Sequence, residues 1–439
     1  MSNAPTLRGR VHQNLYVPAG TRRVEALIDV DATGGAREVV EAPDAVEVIV
    51  IDVSGSMADP PDKIRAARQA TAAAIDEVRD GTRFAVVAGS HVAEVISPPV
   101  PADATTRAAA KAELARLVPG GGTAIGTWLK RTAELVAEHP GAIRHAILLT
   151  DGRNEHESEA ELAAAVDACA GLFRCDCRGV GADWSAAELR LVARGLLGSF
   201  GRIAEPSGMA ADFRALMAAS MRKEVAEIAL RVWTPVGATV ELVKQVAPDT
   251  VDLSARRADG GPQVGLYPTG AWGTEQRDFH IAVAVPPAGV DQERLACRVS
   301  FVQLQPDGPP QPLAQSYFRT RPDGSSETHG EALVSAIWTD DVARDTTPHL
   351  RVLASLDQNA VEAAVDQAAA AYEAGDHAAA AQRLTEVRPI AERAGMTALV
   401  ARIDDLLDPE TGTCRFTDAD ILDLSIESSR LPTREDGSA

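Results

Sequence analysis

Apolar residues between about positions 44 and 222 follow two alternating patterns, which together predict a layered α/β domain. The run Val46–Val53 is almost continuously apolar, as expected of a strand covered on both faces. From Ile64 to Val78, apolar residues recur at helical spacing. Further apolar runs at 83–89 and 146–150 alternate with helical stretches. This order predicts a doubly wound, Rossmann-like and mainly parallel sheet with helices on both faces.

The segments on either side of this domain alternate with a period of two, which is typical of half-buried strands. Alternate residues from Val24 to Val30 are apolar, and residues 279–285 repeat the pattern. Because two strands alone are marginal in water, we expect residues 7–43 and 224–345 to form one antiparallel β-sandwich. The α/β domain, residues 44–222, would then be an insertion in this sandwich, an arrangement that compact domains tolerate.

Toward its end the chain becomes Ala-rich and helical in pattern. Residues 355–408 predict a small helical bundle, with Gly375 and Gly395 at helix ends. Beyond the bundle we expect loose chain, with residues 427–439 as a disordered tail. Thr433 in this tail is a candidate phosphorylation site for Arg-lined recognition modules, and an inert tail is the alternative.

Charge and length limit the classes of partner. The 439 residues carry 43 lysines and arginines against 63 aspartates and glutamates, a formal net charge of -20. This negative field disfavours nucleic acid and anionic membrane surfaces as partners. No apolar run reaches the roughly 18–20 residues that a membrane helix needs, and the first residues lack a secretory pattern. The five cysteines, an odd number, fit a reducing compartment, so we expect a cytoplasmic protein.

Oxygen donors occur in three loops that should meet at one edge of the predicted sheet. One loop follows the strand at 46–53, one is the glycine-rich entry to a helix, and one follows the strand at 146–150. The donors are two carboxylates and three hydroxyls: Asp52, Ser54, Ser56, Thr123 and Asp151. Ligands bind beyond the carboxyl ends of parallel strands, and such oxygens suit a hard cation such as Mg²⁺. A single Asp-x-Ser-x-Ser loop is more often a turn or a helix cap and would not by itself indicate a metal site. The convergence of three loops with oxygen donors at one sheet edge is what favours a metal site.

This combination of loops resembles the metal-ion-dependent adhesion site of von Willebrand factor A domains, and the α/β domain resembles that family. The resemblance implies that Ser54, Ser56 and Thr123 touch the metal directly, whereas Asp52 and Asp151 bind mostly through water. It implies Mg²⁺, with Mn²⁺ as the alternative ion. It also implies that an open coordination position takes a Glu or Asp carboxylate from a partner protein, with no bond chemistry.

Beyond the metal domain, the whole chain resembles bacterial cytosolic proteins that carry this domain beside a β-sandwich and a helical tail. That resemblance implies a scaffold in a signalling or stress assembly. Its partners would be Ser/Thr kinases, phosphatases, phosphothreonine-reading domains or ring ATPases.

A metal-dependent phosphoester hydrolase is the alternative function. It would need a general base and a phosphate-binding cation beside the metal. Arg153 offers positive charge, and His156 either borders the metal site or is a solvated loop residue, but no convincing base is present. The cluster of Cys175 and Cys177 near Cys169 lacks zinc-ribbon spacing, so we interpret these cysteines as small buried residues.

Overall fold

The computed structural model describes residues 5–33, 44–305, 308–321, 324–341, 344, 349–407 and 416–431. The chain divides into two compact units. The sandwich unit comprises residues 1–39, 227–416 and 427–439, and the α/β unit comprises residues 40–226 and 417–426. Along the sequence, the α/β unit therefore interrupts the sandwich unit. Over the described ranges, no helix is long and apolar enough to cross a membrane.

The strands, in chain order, are β1 (Thr6–Gln13), β2 (Tyr16–Pro18), β3 (Arg23–Thr33), β4 (Ala45–Asp52), β5 (Arg83–Gly89), β6 (Ala93–Pro101), β7 (Ile143–Thr150), β8 (Arg174–Val180), β9 (Phe200–Ile203), β10 (Lys223–Trp233), β11 (Thr239–Ala247), β12 (Val251–Asp252), β13 (Ala258–Asp259), β14 (Val264–Gly273), β15 (Glu275–Ala284), β16 (Glu293–Gln305), β17 (Gly308–Pro312), β18 (Gln315–Thr320), β19 (Ser326–His329) and β20 (Ala332–Thr339). The α-helices are α1 (Asp62–Glu77), α2 (Ala104–Leu114), α3 (Ile125–Ala137), α4 (Glu159–Cys169), α5 (Ala186–Gly195), α6 (Met209–Ser220), α7 (Leu350–Glu373), α8 (His377–Arg393), α9 (Thr397–Leu406) and α10 (Asp418–Ser428).

The α/β unit is built on one six-stranded sheet with the order β6-β5-β4-β7-β8-β9. Its neighbouring strands are parallel except for the edge pair β5–β6, which is antiparallel. Every residue of the central strand β4 is buried, which explains its continuous apolar run. The doubly wound sheet predicted from the sequence is confirmed.

Helices cover both faces of this sheet. Ile75 of α1 and Phe213 of α6 pack in the apolar cluster on one face, with alternate residues of β4. Trp128 of α3 and Leu189 of α5 belong to the cluster on the other face. Both layers press on the same strands, so the loops at the strand ends are held by a rigid support.

The sandwich unit contains two sheets, with the orders β12-β11-β15-β3-β1-β18-β19 and β13-β14-β10-β16-β20-β2, the latter also pairing β17 with β16. The N-terminal strands β1 and β3 pair with β18 and β15, so they find their partners far along the chain, as predicted. Most pairs are antiparallel, but β1–β18 and β2–β20 are parallel. Both exceptions join the N-terminal strands to strands that follow the inserted unit, where no hairpin dictates the direction.

The helical segment begins at Leu350, before the predicted start at 355, and its helices end close to Gly375 and Gly395, as the sequence predicts. The expectation of loose chain beyond the bundle is wrong for residues 418–428, which form α10. The reason is a short apolar face that includes Leu422 and Ile426, both in an apolar cluster of the α/β unit. Beyond this helix, residues 432–439, including Thr433, lie outside the described residues.

Candidate metal centre

The predicted site lies where the strand order of the α/β unit reverses direction. From β4 the chain first builds outward through β5 and β6, and then returns to place β7 on the other side of β4. Asp52 is the last residue of β4, and Asp151 directly follows β7. In open α/β sheets such a switch point forms a crevice that binds ligands.

The first loop folds its hydroxyls toward the second carboxylate. The backbone N–H of Ser54 donates to Asp52 Oδ1 at 2.7 Å. Ser54 Oγ and Ser56 Oγ lie 3.0 Å apart, and Ser56 Oγ donates to Asp151 Oδ1 at 2.7 Å. Two hydroxyls and both carboxylates are therefore joined in one hydrogen-bonded chain.

Asp52 is fully buried and held from two sides. The hydroxyl of Thr150 donates to Asp52 Oδ2 at 2.6 Å, while the backbone N–H of Ser54 donates to Asp52 Oδ1. Burial raises the pKa of Asp52 to about 6, and the charge of Asp151 adds to this, although the hydrogen bonds from Ser54 and Thr150 oppose it. The charged form of Asp52 is thus short of compensating positive charge.

The glycine-rich loop brings the third hydroxyl to the same place. Gly55 N–H donates to Gly121 O at 2.9 Å, which ties this loop to the first one. A Cβ built on Gly152 would lie 3.5 Å from Ser56 Oγ and 3.6 Å from Thr123 Oγ1, so both hydroxyls border one point. All five residues predicted from the sequence therefore lie around a single centre.

The glycines of this loop make room for two imidazoles. Gly121 has a φ of +79°, which favours glycine, and a Cβ there would lie 2.3 Å from the His91 ring. A Cβ on Gly122 would overlap the ring of His156. His156 thus borders the glycine-rich loop of the candidate centre. The exposed rings of His91 and His156 have centroids 6.3 Å apart.

Two side chains that sequence reasoning missed fix the glycine-rich loop to the loop of Asp151. Asn154 Oδ1 accepts from the N–H of Ile125 at 2.7 Å. Glu157 accepts from the N–H of Gly126 at 2.6 Å and from the hydroxyl of Thr127 at 2.9 Å. They satisfy N–H groups of the first turn of α3, so the start of that helix is held beside Asp151.

Lys63 is the other residue that the sequence did not indicate. Its Nζ lies 2.8 Å from Asp151 Oδ2, with the lysine side chain 15% exposed and the aspartate fully buried. Lys63 is the second residue of α1, directly after the first loop, so its position in the helix aims it at the centre. It places one positive charge on a centre that contains two buried carboxylates.

The donor set fits a hard cation. The candidate ligands of the centre are carboxylate and hydroxyl oxygens, which Mg²⁺ prefers. Over the described residues, this centre included, no group of three or more His, Cys, Asp or Glu side chains is placed to hold a metal ion, because the centre has two carboxylates and its other candidate ligands are hydroxyls. Cys169, Cys175 and Cys177 are buried, as predicted. The hydrogen bond with Cys177 and burial raise the pKa of the Cys175 thiol well above its usual value.

Comparison with known proteins identifies the domain in the α/β unit. The family model of the von Willebrand factor type A domain matches residues 47–200. Such domains generally serve as non-enzymatic interaction modules, and they often bind a divalent metal at the adhesion site. No curated protein matches the chain significantly.

Solved structures resemble the chain over most of its length. A von Willebrand factor type A protein from Catenulispora acidiphila is 39% identical, with a TM-score of 0.88 over 99% of this chain and 98% of that chain. VWA2, the ArnB paralog from Sulfolobus acidocaldarius, has the same fold at 14% identity, with a TM-score of 0.56 over 97% of each chain. On the identity and coverage of the Catenulispora protein, the chain belongs to the von Willebrand factor type A family.

Proposed function

We propose that this protein is a non-enzymatic, metal-dependent scaffold that binds a partner through an acidic side chain. The observation that carries the proposal is the convergence of three hydroxyls and two carboxylates at the switch point of a rigid sheet. Mg²⁺ is the proposed ion, with Mn²⁺ as the alternative. A Glu or Asp carboxylate of the partner would complete the coordination.

In this proposal each residue has a distinct task. The ion is held directly by the hydroxyls of Ser54, Ser56 and Thr123. Its water ligands are oriented by the carboxylates of Asp52 and Asp151, which do not touch the ion themselves. The bound ion supplies a strong, localised positive charge for an incoming carboxylate. Because the carboxylates do not neutralise the ion by direct contact, much of that charge remains available to the partner.

The hydrogen bonds around the centre support this division of roles. Asp52 already accepts from Ser54 and Thr150, so both its oxygens are oriented before any ion binds. Residues that orient ligands in this way typically change metal affinity by about 10–100-fold when removed. We expect loss of Asp52 or Ser54 to abolish partner binding while the fold persists, because both lie in a loop beyond the sheet.

We further propose a cytoplasmic signalling or stress assembly as the setting. Kinases, phosphatases, phosphothreonine-reading domains and ring ATPases are the proposed partner classes. Support for this comes from the resemblance to bacterial proteins with the same arrangement and from the acidic composition, which disfavours nucleic acid and anionic membranes.

The proposal is tested first on the purified chain. Isothermal titration with Mg²⁺ and Mn²⁺ should show one site in the wild type and none in Ser54→Ala. Ser158→Ala is the matched control, because it removes a hydroxyl that caps α4 outside the centre. Circular dichroism of each variant confirms that the fold is intact.

Capture of a partner is then compared in Mg²⁺ and in EDTA, with wild type and Asp52→Ala as bait. Partner binding should require both the metal and Asp52, and one acidic residue of the partner should lose binding when changed to its amide. Equal capture in Mg²⁺ and EDTA would contradict the proposal. Metal-dependent turnover of a phosphate ester that disappears in Asp52→Ala would instead support the hydrolase.

A further inference from the structure

The sandwich unit contains a groove of about 930 Å³ whose charge is opposite to that of the whole chain. Residues 10–16, 318–321, 344, 349 and 350 line it, and this lining includes four arginines and no carboxylate. The complete chain carries 63 acidic against 43 basic residues. A concentration of guanidinium groups in one groove is therefore a local feature that overall composition does not explain.

Two of the arginines lie over aromatic rings on the walls of this arginine groove. The guanidinium carbon of Arg10 lies 5.9 Å from the centroid of Phe318, and that of Arg344 lies 5.3 Å from the centroid of Tyr16. Stacking occupies the face of a guanidinium and leaves its N–H groups, which lie in its plane, free to donate. The rings thus orient both cations without consuming the hydrogen bonds that bind a carboxylate.

The four arginines differ in how far acids of the chain already neutralise them. Arg319 and Arg321 both pair with Glu327, at 2.9 and 2.8 Å. Among the described residues, the acids that pair with Arg344 lie at 3.5 and 3.8 Å, beyond ordinary hydrogen-bond distance for such a pair. The backbone N–H of Arg10 donates to Asp29 Oδ1 at 2.7 Å, but for its guanidinium no carboxylate partner is found among the residues described. Arg10 and Arg344 are therefore the cations with binding capacity to spare.

The base of the groove is fixed by a partly buried chain of hydrogen bonds. His12 Nε2 lies 2.8 Å from Asp29 Oδ2, and His12 Nδ1 lies 3.3 Å from His349 Nε2. His349 Nδ1 accepts from the N–H of Arg351 at 3.3 Å, which extends the chain of hydrogen bonds to the start of α7. The base is thereby preformed and the arginines supply the positive charge.

Apolar surface accompanies the charge. Leu350 is 78% exposed and Phe318 is 37% exposed, and both line the groove. Cations spaced along walls with apolar side chains between them match a peptide that carries both acidic and apolar residues. A free phosphate would instead need several uncompensated cations at one point, and Glu327 already occupies two of the four arginines.

We propose that the arginine groove is a second binding site, which takes an acidic peptide segment with apolar side chains from a partner protein. Carboxylates of the peptide pair with Arg10 and Arg344, and its apolar residues contact Phe318 and Leu350. This site uses no metal and does not depend on the function proposed for the α/β unit.

The test measures fluorescence anisotropy of a short fluorescein-labelled peptide that alternates Glu and Leu, added to the full chain. Wild type should bind it saturably and equally in Mg²⁺ and EDTA, and binding should weaken as salt rises. Arg10→Glu combined with Arg344→Glu should weaken binding by about tenfold or more. Arg8→Glu is the matched control, because Arg8 is exposed on the same face of β1 but does not line the groove.

Three results would overturn the proposal: no saturable binding to wild type, equal weakening by Arg8→Glu, or undiminished binding of a peptide with Gln in place of Glu. Displacement of the peptide by inorganic pyrophosphate at lower concentration than by unlabelled peptide would reassign the groove to phosphate ligands. Leu350→Ser should weaken the peptide without changing the salt dependence, and unchanged affinity in that variant would contradict the apolar contact. Circular dichroism serves as the folding control for each variant.

Discussion

Lys63 offers the sharpest test of the candidate centre. If the centre binds a metal, removing the charge of Lys63 should lower the stability of the metal-free chain but raise its metal affinity. Lys63 Nζ pairs with Asp151 Oδ2 at 2.8 Å, and Asp151 is fully buried. Methionine has nearly the length of lysine and keeps the apolar stem, but it has no charge. Lys63→Met therefore removes the positive charge from the centre with little change in packing.

The size of the effect follows from the geometry of this pair. At 2.8 Å and an effective dielectric constant of about 20, the Coulomb attraction is about 6 kcal/mol. The cost of desolvating both ions offsets most of this attraction, whereas removing one partner of a buried pair typically costs about 3–5 kcal/mol. Because the lysine side chain is 15% exposed, water can replace part of its role. We expect Lys63→Met to lower the free energy of unfolding in EDTA by about 2–3 kcal/mol.

Metal binding should change in the other direction. In the wild type, a divalent cation must share Asp151 with an ammonium group that it also repels. In Lys63→Met this competition is absent, so metal affinity should rise by about 10–100-fold, equivalent to about 1.4–2.7 kcal/mol. The gain in stability on adding Mg²⁺ should then be larger in the variant than in the wild type.

Urea unfolding followed by circular dichroism, in EDTA and in Mg²⁺, measures stability, and isothermal titration with Mn²⁺ measures affinity. The control is Lys111→Met, which breaks the surface pair of Lys111 with Asp76 and should leave metal affinity unchanged. A fall in metal affinity in Lys63→Met would refute the reasoning. Lys63 would then position Asp151 for the metal and would not compete with it.

Further predictions concern the metal and the pH. Asp151→Ala should lose the rise in melting temperature that Mg²⁺ causes, while its circular dichroism stays that of the wild type; a retained rise would remove Asp151 from the centre. Calcium should bind more weakly than Mg²⁺ in isothermal titration, because the larger ion needs more oxygens and longer bonds than this compact set of hydroxyls supplies. His280 is fully buried, and burial, with Lys244 and Arg23, lowers its pKa to about 4. Its folded pKa lies below the unfolded value, so stability should fall by up to about 3 kcal/mol as the pH drops from 6.5 to 4. Urea unfolding across this range should show a smaller fall in His280→Gln.

The periodicity of apolar residues was enough to predict most of the fold. Continuous apolar runs such as Val46–Val53 predict strands covered on both faces, as β4 is. Alternation such as that from Val24 to Val30 predicts one uncovered face, but Leu27 and Asp29 on that face of β3 are buried too, and Leu27 packs against Val352 of α7. The parallel direction of the β1–β18 pair was not predictable in this way, because alternation is the same in either direction. Helix α10 was missed because its apolar face is short, although Thr417 and Asp420 form a capping box that could have indicated its start.

The candidate centre was predictable to the extent that its residues follow strand ends. Asp52 and Asp151 come directly after β4 and β7, and adjacent parallel strands bring their carboxyl ends together. The contact of Lys63 with Asp151 joins residues 88 positions apart, and it depends on where the first turn of α1 lies over the sheet edge. Likewise, Glu157 accepts a hydrogen bond from the N–H of Gly126, and this contact depends on a loop geometry that no sequence pattern encodes.

A comparison of the two edges of the sheet in the α/β unit shows why the carboxyl edge is suited to a cation. At the amino edge, His145 lies between Glu47 and Asp176, at 2.7 and 2.9 Å. Burial alone would lower the pKa of His145, but the two carboxylates outweigh it and raise the pKa to about 9, so this edge carries its own cation. Burial would likewise raise the pKa of Asp176, yet its bond to His145 and nearby arginines hold it well below the usual range.

At the carboxyl edge the balance is reversed. Burial raises the pKa of Asp52 to about 6, although two hydrogen bonds oppose the rise, and the cation at this edge, Lys63, pairs with Asp151. A buried carboxylate without a compensating charge lowers the stability of the fold. Its presence therefore indicates that it serves a function other than stabilising the fold. A purely structural role would be better served by the arrangement at the amino edge, where each carboxylate has a partner. The undercompensated edge also presents three hydroxyls, which could not neutralise the carboxylates but can coordinate an ion that does. The same sheet thus has one edge that is electrostatically complete and one that a divalent cation would complete.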